Sequence, residues 1–215
     1  MRPAKFNHRW FKFVENEYGE MLIYEPPAFH PKYEKLTYQK SITRKIIHGN
    51  YMTFVDVGAA WGYFPLIASH HCAFVSAYEA NPFRYGILLY NTANRGNILC
   101  HYKFVGCIHS KEAKLDNPFL MVDKSGKKEI YIPRTTLFQE LFPYIGKMLI
   151  KIDVEGNEMD VLCGAEDLLD EEKVHWFIDV HPQHGIKKKD VIDRFFRNRK
   201  ISHHEVESIF VGGFK

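Results

Sequence analysis

The chain has 215 residues, is 46% hydrophobic and 26% charged, and carries a formal net charge of +3. These figures describe a soluble globular domain long enough to bury a core without staples, and the small charge neither demands nor excludes a nucleic acid or an anionic ligand. Four cysteines with no Cys-x-x-Cys pair argue against a zinc knuckle, no apolar run reaches membrane-spanning length, and Met1–Phe6 lacks the apolar segment of a secretion signal, so a cytoplasmic protein with free thiols and no membrane partner is expected.

Residues 1–50 read as an N-terminal extension. A helix is expected from Tyr33 to His48, where Leu36, Ile42, Ile46 and Ile47 share a face and Gly49-Asn50 ends the run. A β/α alternation then occupies 51–215. Met52–Val57 reads as a strand, Gly58–Gly62 as a loop, Tyr63–His70 as a helix and Ala73–Tyr78 as the next strand. Asn81-Pro82 supplies an N-cap and first-turn proline to a helix that Gly96 ends. Ile98–Val105 reads as a third strand. Phe119–Asp123 and Glu129–Ile132 flank Lys124-Ser125-Gly126-Lys127 as an inserted hairpin. Thr136–Gln139 resembles a capping box opening a short helix. Met148–Val154 and Val174–Val180 read as further strands, Asn157–Cys163 and Lys187–Asn198 as helices. Ile201–Phe210 gives one or two closing antiparallel strands. Strands alternating with helices predict an α/β fold with a mostly parallel, doubly wound sheet.

Ligands of such sheets sit beyond the carboxyl ends of the strands. Asp56, Glu79, Asp153 and Asp179 all fall at such ends, and buried carboxylates are costly without partners, so the four acids read as one site. Gly58-Ala59-Ala60-Trp61-Gly62 follows the first strand and opens a helix. Its glycines permit a sharp bend and close approach to a ligand. Glu79, at the tip of the next strand, is placed to accept hydrogen bonds from ribose hydroxyls. The loop lacks the glycine triplet of nicotinamide-dinucleotide sites, which argues against an NAD(P)-dependent oxidoreductase.

Three segments carry a family resemblance. Asp56-Val57-Gly58-Ala59-Ala60-Trp61-Gly62-Tyr63 resembles D-V-G-A-N-x-G-x. Tyr78-Glu79-Ala80-Asn81-Pro82 resembles F-E-P-N-P. Leu149–Glu158 resembles L-x-K-I-D-V-E-G-x-E, and Val161–Ala165 continues it. Together these are similar to the FkbM-type methyltransferases, class I enzymes with a Rossmann-like sheet. The resemblance implies S-adenosyl-L-methionine as cofactor and O-methylation of a sugar or other small-molecule or glycan acceptor. Carried over, Asp56, Gly58, Ala59, Ala60 and Gly62 face the methionine end, Glu79 the ribose and Asn81 the adenosine side. Asp153 borders the reacting methyl. Ala60 and Ala80 depart from the family's Asn and Pro, and Asp179 precedes Val180-His181 where Glu-x-His is common.

For the chemistry, Asp153 is expected to orient or deprotonate the acceptor, with His181 as a competing base. Lys151, two residues from Asp153 on a strand, points to the same side and either pairs with these acids or acts in catalysis. Glu155 is expected to order the loop. Residues 1–50 are a candidate acceptor cap. No metal is expected, since His175, His181 and His184 match no ligand spacing. Lys187–Lys189, Arg194, Arg197, Arg199 and Lys200 leave a nucleic-acid-associated methyltransferase or a non-catalytic module as alternatives. Nothing in the sequence dictates an oligomeric state.

Overall fold

The structure, a computed structural model, describes residues 11–107, 112–114, 131–141, 146–204 and 207–214. An antiparallel hairpin of β1 (Phe11–Asn16) and β2 (Gly19–Tyr24) leads into two short helices, α1 (His30–Glu34) and α2 (Lys40–His48). The alternation then runs through β3 (Thr53–Val57), α3 (Tyr63–Ala68), β4 (Phe74–Glu79), α4 (Pro82–Thr92) and β5 (Ile98–Tyr102). A small side sheet holds β6 (Phe104–Val105), β7 (Glu112–Lys114) and β8 (Tyr131–Thr135). It is followed by α5 (Leu137–Leu141), β9 (Met148–Ile152), α6 (Glu158–Cys163), α7 (Glu166–Leu169) and β10 (Val174–Asp179). After a 3-10 turn at Pro182–His184 come α8 (Lys188–Phe195), β11 (Arg199–His204) and β12 (Ser208–Phe214).

The main sheet has the order β5-β4-β3-β9-β10-β12-β11. Its first five strands are parallel, and β12 inserts antiparallel to both β10 and β11. This is the expected Rossmann-like sheet with an antiparallel C-terminal strand. The chain winds outward from β3 to β5, then returns to place β9 on the other side of β3. The tips of β3 and β9 therefore flank the point where the winding reverses, which is where such sheets open a crevice.

Every residue of β3 and β9 is buried, as their near-continuous apolar runs require of parallel strands covered on both faces. Phe54, Leu149 and Phe177 join the core under α2, α3 and the N-terminal hairpin. Val55, Ile150, Trp176 and Ile178 face the opposite layer, with Val161, Leu168 and Val191. Asp56 and Lys151 are the charged exceptions, and they stand directly opposite each other in register. Among the described residues no helix is long and apolar enough to cross a membrane.

Several expectations need correction. The extension is not simply helical: residues 11–24 pair as strands with Val14, Met21 and Ile23 buried, because branched and aromatic residues fit a pleated surface. The helix expected from Tyr33 to His48 is two, interrupted where Leu36 and Gln39 take left-handed φ values of 52° and 39°. Ile98–Val105 is split, since β5 joins the main sheet and β6 the side sheet. The hairpin turn at Lys124–Lys127 lies outside the described residues. Arg199, expected in a basic stripe, is 2% exposed, and its guanidinium donates to the carbonyls of Leu169, Val174 and Gly212.

His175, on β10, hydrogen-bonds the Tyr51 hydroxyl through Nδ1 at 2.9 Å. Burial lowers its pKa to about 4, assisted by Lys147, Arg199 and Lys45. An imidazole depressed by folding contributes stability above its unfolded pKa, and that stability is lost as pH falls towards the folded value. Lowering pH from 7 to 4.5 is therefore expected to remove roughly 1–2 kcal/mol through this half-exposed group, after allowance for solvent screening. Urea melts at both pH values check this: His175→Gln flattens the difference, and an unchanged slope refutes the assignment.

Candidate active site

The turn after β3 is shaped by its contacts with the protein. Gly58 has φ 88°, and a Cβ there would lie 1.9 Å from the Asp153 carbonyl oxygen. Gly62 has φ 87°, and its Cβ would lie 2.8 Å from Leu88 Cδ1. The glycines thus allow β3 to sit against the tip of β9 and α3 to pack on α4, a different reason from the close ligand approach expected. Ala60 is also left-handed, at φ 47°. Asn tolerates that conformation better than Ala, which gives a physical reason for the family's usual Asn at this place.

Glu79 is 6% exposed and ties this turn to the next one. Its Oε2 accepts from the Ala60 amide at 2.8 Å and its Oε1 from the Asn81 amide at 2.7 Å. Burial pushes its pKa up against the pull of Arg84 and those two amides. The Asn81 side chain caps α4, its Oδ1 accepting from the Phe83 and Arg84 amides. The N-cap reading is borne out.

At the tip of β9 the charged groups converge. Lys151, 1% exposed, donates to Asp56 Oδ1 at 3.2 Å and to Asp153 Oδ2 at 3.4 Å, and its ammonium lies 4.9 Å from the Phe64 ring centroid. Burial alone would discharge this lysine, but Asp56, Asp153 and Asp179 outweigh it and hold its pKa above the ordinary value. Asp56 is fully buried, its pKa is raised by that burial, and its Oδ2 has no hydrogen-bond partner. For Asp153 the upward push of burial is overcome by Lys151, His181 and Gln39, and its pKa is lowered. His181 Nδ1 sits 2.6 Å from Glu158 Oε1, while Nε2 is 3.6 Å from Asp153 Oδ1 and 3.4 Å from Glu155 Oε2. Burial opposes the imidazolium, yet Glu158, Asp153 and Glu155 raise its pKa to about 9.

One cleft joins the turn to these acids. Gly58–Trp61, Lys151, Asp153 and Glu155 line it from the sheet side. Glu25, Tyr33 and Tyr38 line it from the N-terminal segment, with Tyr63, Phe64 and Arg84 completing it. Glu25 accepts from the Trp61 indole at 3.2 Å, and Arg84 stacks over the same ring. Of the residues singled out from sequence, Gly58, Ala59, Ala60, Lys151, Asp153 and Glu155 reach the cleft directly. Asp56, Gly62, Glu79, Asn81 and His181 support it from behind.

Sequence reasoning missed Gln39, Glu25, Tyr33, Tyr38 and Glu158. Gln39 Nε2 donates to Asp179 Oδ2 at 2.8 Å and to Asp153 Oδ2 at 3.3 Å, bridging two strand tips from a residue far upstream. No local pattern announces such a contact. Glu158 was visible in the Asp-Val-Glu-Gly-Asn-Glu run but carried no assigned role. The three histidines considered as metal ligands do not form one set among the described residues: His175 is engaged with Tyr51, and His181 groups with Asp153 and Asp179 instead.

A family model described as the methyltransferase FkbM domain matches residues 8–210. No curated protein sequence matches the chain. Among solved structures, a methyltransferase FkbM from Methylobacillus flagellatus KT is 17% identical with a TM-score of 0.53, covering 75% of this chain. The chain spans only 44% of that protein. The N-methyltransferase NodS from Bradyrhizobium japonicum WM9, in complex with S-adenosyl-l-homocysteine, is 8% identical with a TM-score of 0.51, covering 86% of this chain and 89% of that one. An rRNA methylase from Streptococcus thermophilus is 7% identical with a TM-score of 0.50, covering 87% and 96%. At these identities the likeness is one of fold.

Proposed function

We propose that this chain, which belongs to the FkbM methyltransferase domain family, uses S-adenosylmethionine to methylate a hydroxyl of a sugar or other small acceptor. The observation that carries this reading is a cleft at the winding reversal, lined by Gly58–Trp61 on one strand tip and by Lys151, Asp153 and Glu155 on the next. The related fold of NodS binding S-adenosyl-l-homocysteine supports the cofactor. Glu79 supports the cofactor's place from behind the cleft: its two oxygens hold the Ala60 and Asn81 amides and so fix the turn that lines it.

When bound, S-adenosylmethionine supplies a methyl group already activated on a sulfonium. The protein's share is alignment, which accounts for much of the rate in such a displacement. The chain's own part in the chemistry is the proton: an acceptor hydroxyl seated beside Asp153 would pass its proton to that carboxylate. Asp153 suits this role because its carboxylate lines the cleft and is held in position by Lys151 and Gln39. His181 is less suited as the base, since its Nδ1 is committed to Glu158 and it stands behind Asp153. Glu25, Tyr33 and Tyr38 bring the N-terminal segment to the cleft, which supports a role for residues 11–48 on the acceptor side.

Calorimetry with S-adenosylhomocysteine tests the cofactor assignment. Glu79→Ala is expected to weaken binding by about 1–3 kcal/mol, or roughly 5- to 150-fold. An unchanged affinity in a folded variant removes Glu79 from the site.

A further inference from the structure

We propose that Asp153, Asp179 and His181 form a binding site for a divalent cation of the Mn2+ type, seated between the tips of β9 and β10 and able to grip an oxygen of the acceptor. The inference rests on the methyl-transfer reading for its use and on geometry alone for its existence.

Each of the three residues offers one ligand atom, and these atoms lie within 4.8 Å of one another. The separations of His181 Nε2 from Asp153 Oδ1 (3.6 Å) and Glu155 Oε2 (3.4 Å) exceed those of charge-assisted hydrogen bonds, about 2.7–2.9 Å. They match the spacing between neighbouring ligands around a metal bonded at about 2.0–2.2 Å. His181 is also held as metal-binding histidines are. Its other ring nitrogen is locked to the fully buried Glu158, which fixes the ring and turns Nε2 towards the acids. Lys151 approaches Asp153 through Oδ2 and leaves Oδ1 on the His181 side.

Charge points the same way. Asp56, Asp153, Glu155, Glu158 and Asp179 surround this corner, and Lys151 is the fixed cation set among them. A divalent ion seated here brings the acidic group nearer to neutrality, as buried carboxylates require.

Gln39 supplies an independent sign. Its amide nitrogen donates to both Asp153 and Asp179, yet its Oε1, shut off from solvent, accepts no hydrogen bond from the described residues. Buried amide oxygens are nearly always paired. Turned about its last bond, the amide presents that oxygen to the gap between the two aspartates, where a cation would satisfy it. Gln39 reaches this place from a left-handed backbone with φ 39°, a conformation that persists only when surrounding contacts enforce it. A ligand set of carboxylate oxygens and one imidazole, with positions left open, suits Mn2+ or Mg2+ better than a thiolate-seeking metal.

The test uses the full chain, stripped with chelator and titrated with MnCl2, with free Mn2+ read by electron paramagnetic resonance. The expected result is one Mn2+ per chain with a dissociation constant below about 100 μM, weakened at least tenfold by Asp179→Asn and by excess Mg2+. The asparagine keeps hydrogen-bonding capacity towards Ser208 and Gln39. Should that variant fail to fold, His181→Asn serves in its place, and Glu155→Gln, on an exposed loop, is expected to weaken binding several-fold. Wild-type binding only at millimolar Mn2+, or equal binding by folded wild type and Asp179→Asn, overturns the site. S-adenosylhomocysteine calorimetry on the same samples separates the two readings. Intact nucleoside binding with no Mn2+ binding removes the cation alone, whereas Mn2+ binding without nucleoside binding leaves the site standing and removes the methyl-transfer assignment.

Discussion

Replacing Lys151 by alanine is expected to lower folding stability by about 3–5 kcal/mol, the usual consequence of removing one partner from a buried ion pair. Lys151 and Asp56 are 1% and 0% exposed. Asp56 Oδ1 rests on the ammonium and its Oδ2 has nothing else to accept from. Without the lysine, a carboxylate is left in the sheet interior with no donor, beside the ionised Asp153. It must take up a proton on folding, so the deficit grows with rising pH across the neutral range. The pair itself is a poor source of stability, because burying both charges costs about what their attraction returns. Substituting both residues together, Asp56→Leu with Lys151→Met, is accordingly expected to restore most of the loss. Urea denaturation of the single and double variants decides the matter. A Lys151→Ala protein within 1 kcal/mol of wild type sinks the account.

Gly58→Ala is expected to cost about 2–4 kcal/mol, from overpacking together with a left-handed alanine, and to weaken S-adenosylhomocysteine binding at least tenfold. The new methyl would be placed 1.9 Å from the Asp153 carbonyl oxygen, a backbone atom with no rotamer to change. β3 and β9 would have to separate at their tips, and the turn would move with them. Two other glycines set the scale. At Gly62 the obstacle is the end of the Leu88 side chain at 2.8 Å, which can swing aside, so alanine there costs nearer 1 kcal/mol. At Gly86, inside α4, a methyl meets nothing within 4 Å, and alanine is expected to stabilise by about 0.5–1 kcal/mol. Thermal melts of the three variants should fall in that order. Equal effects at positions 58 and 86 would show that the strand contact is not what the glycine serves.

The sheet was legible because its signals are local. Apolar runs at 53–57, 148–152 and 174–179 are too short and too branched for helices, and Asn81-Pro82 and Gly164 bracket helices by known capping chemistry. The strand-end acids were legible for the same reason, since position along a strand determines which end a residue reaches. What could not be read was anything fixed by meeting across the chain. Gln39 lies 114 residues from Asp153 and 140 from Asp179, and its role depends on two left-handed residues that break an otherwise helical pattern at Leu36 and Gln39. Hydrophobic periodicity is blind to such a break. The same limit hid the reason for the glycines: a bend was foreseeable, but the carbonyl pressed against Gly58 belongs to a distant strand. Burial of Arg199 inverted an expectation that rested on composition alone.

The Asn91 side-chain amide, on α4, grips three backbone groups at once. It accepts from the Leu22 amide at 2.7 Å and donates to the carbonyls of Leu22 and Trp61 at 2.8 and 2.6 Å. It thereby serves as a rivet between the amino-terminal hairpin and the glycine turn, two parts that otherwise approach the cleft from opposite sides. A displacement of the hairpin at Leu22 would therefore be passed through one side chain to Trp61 and the turn that lines the cleft.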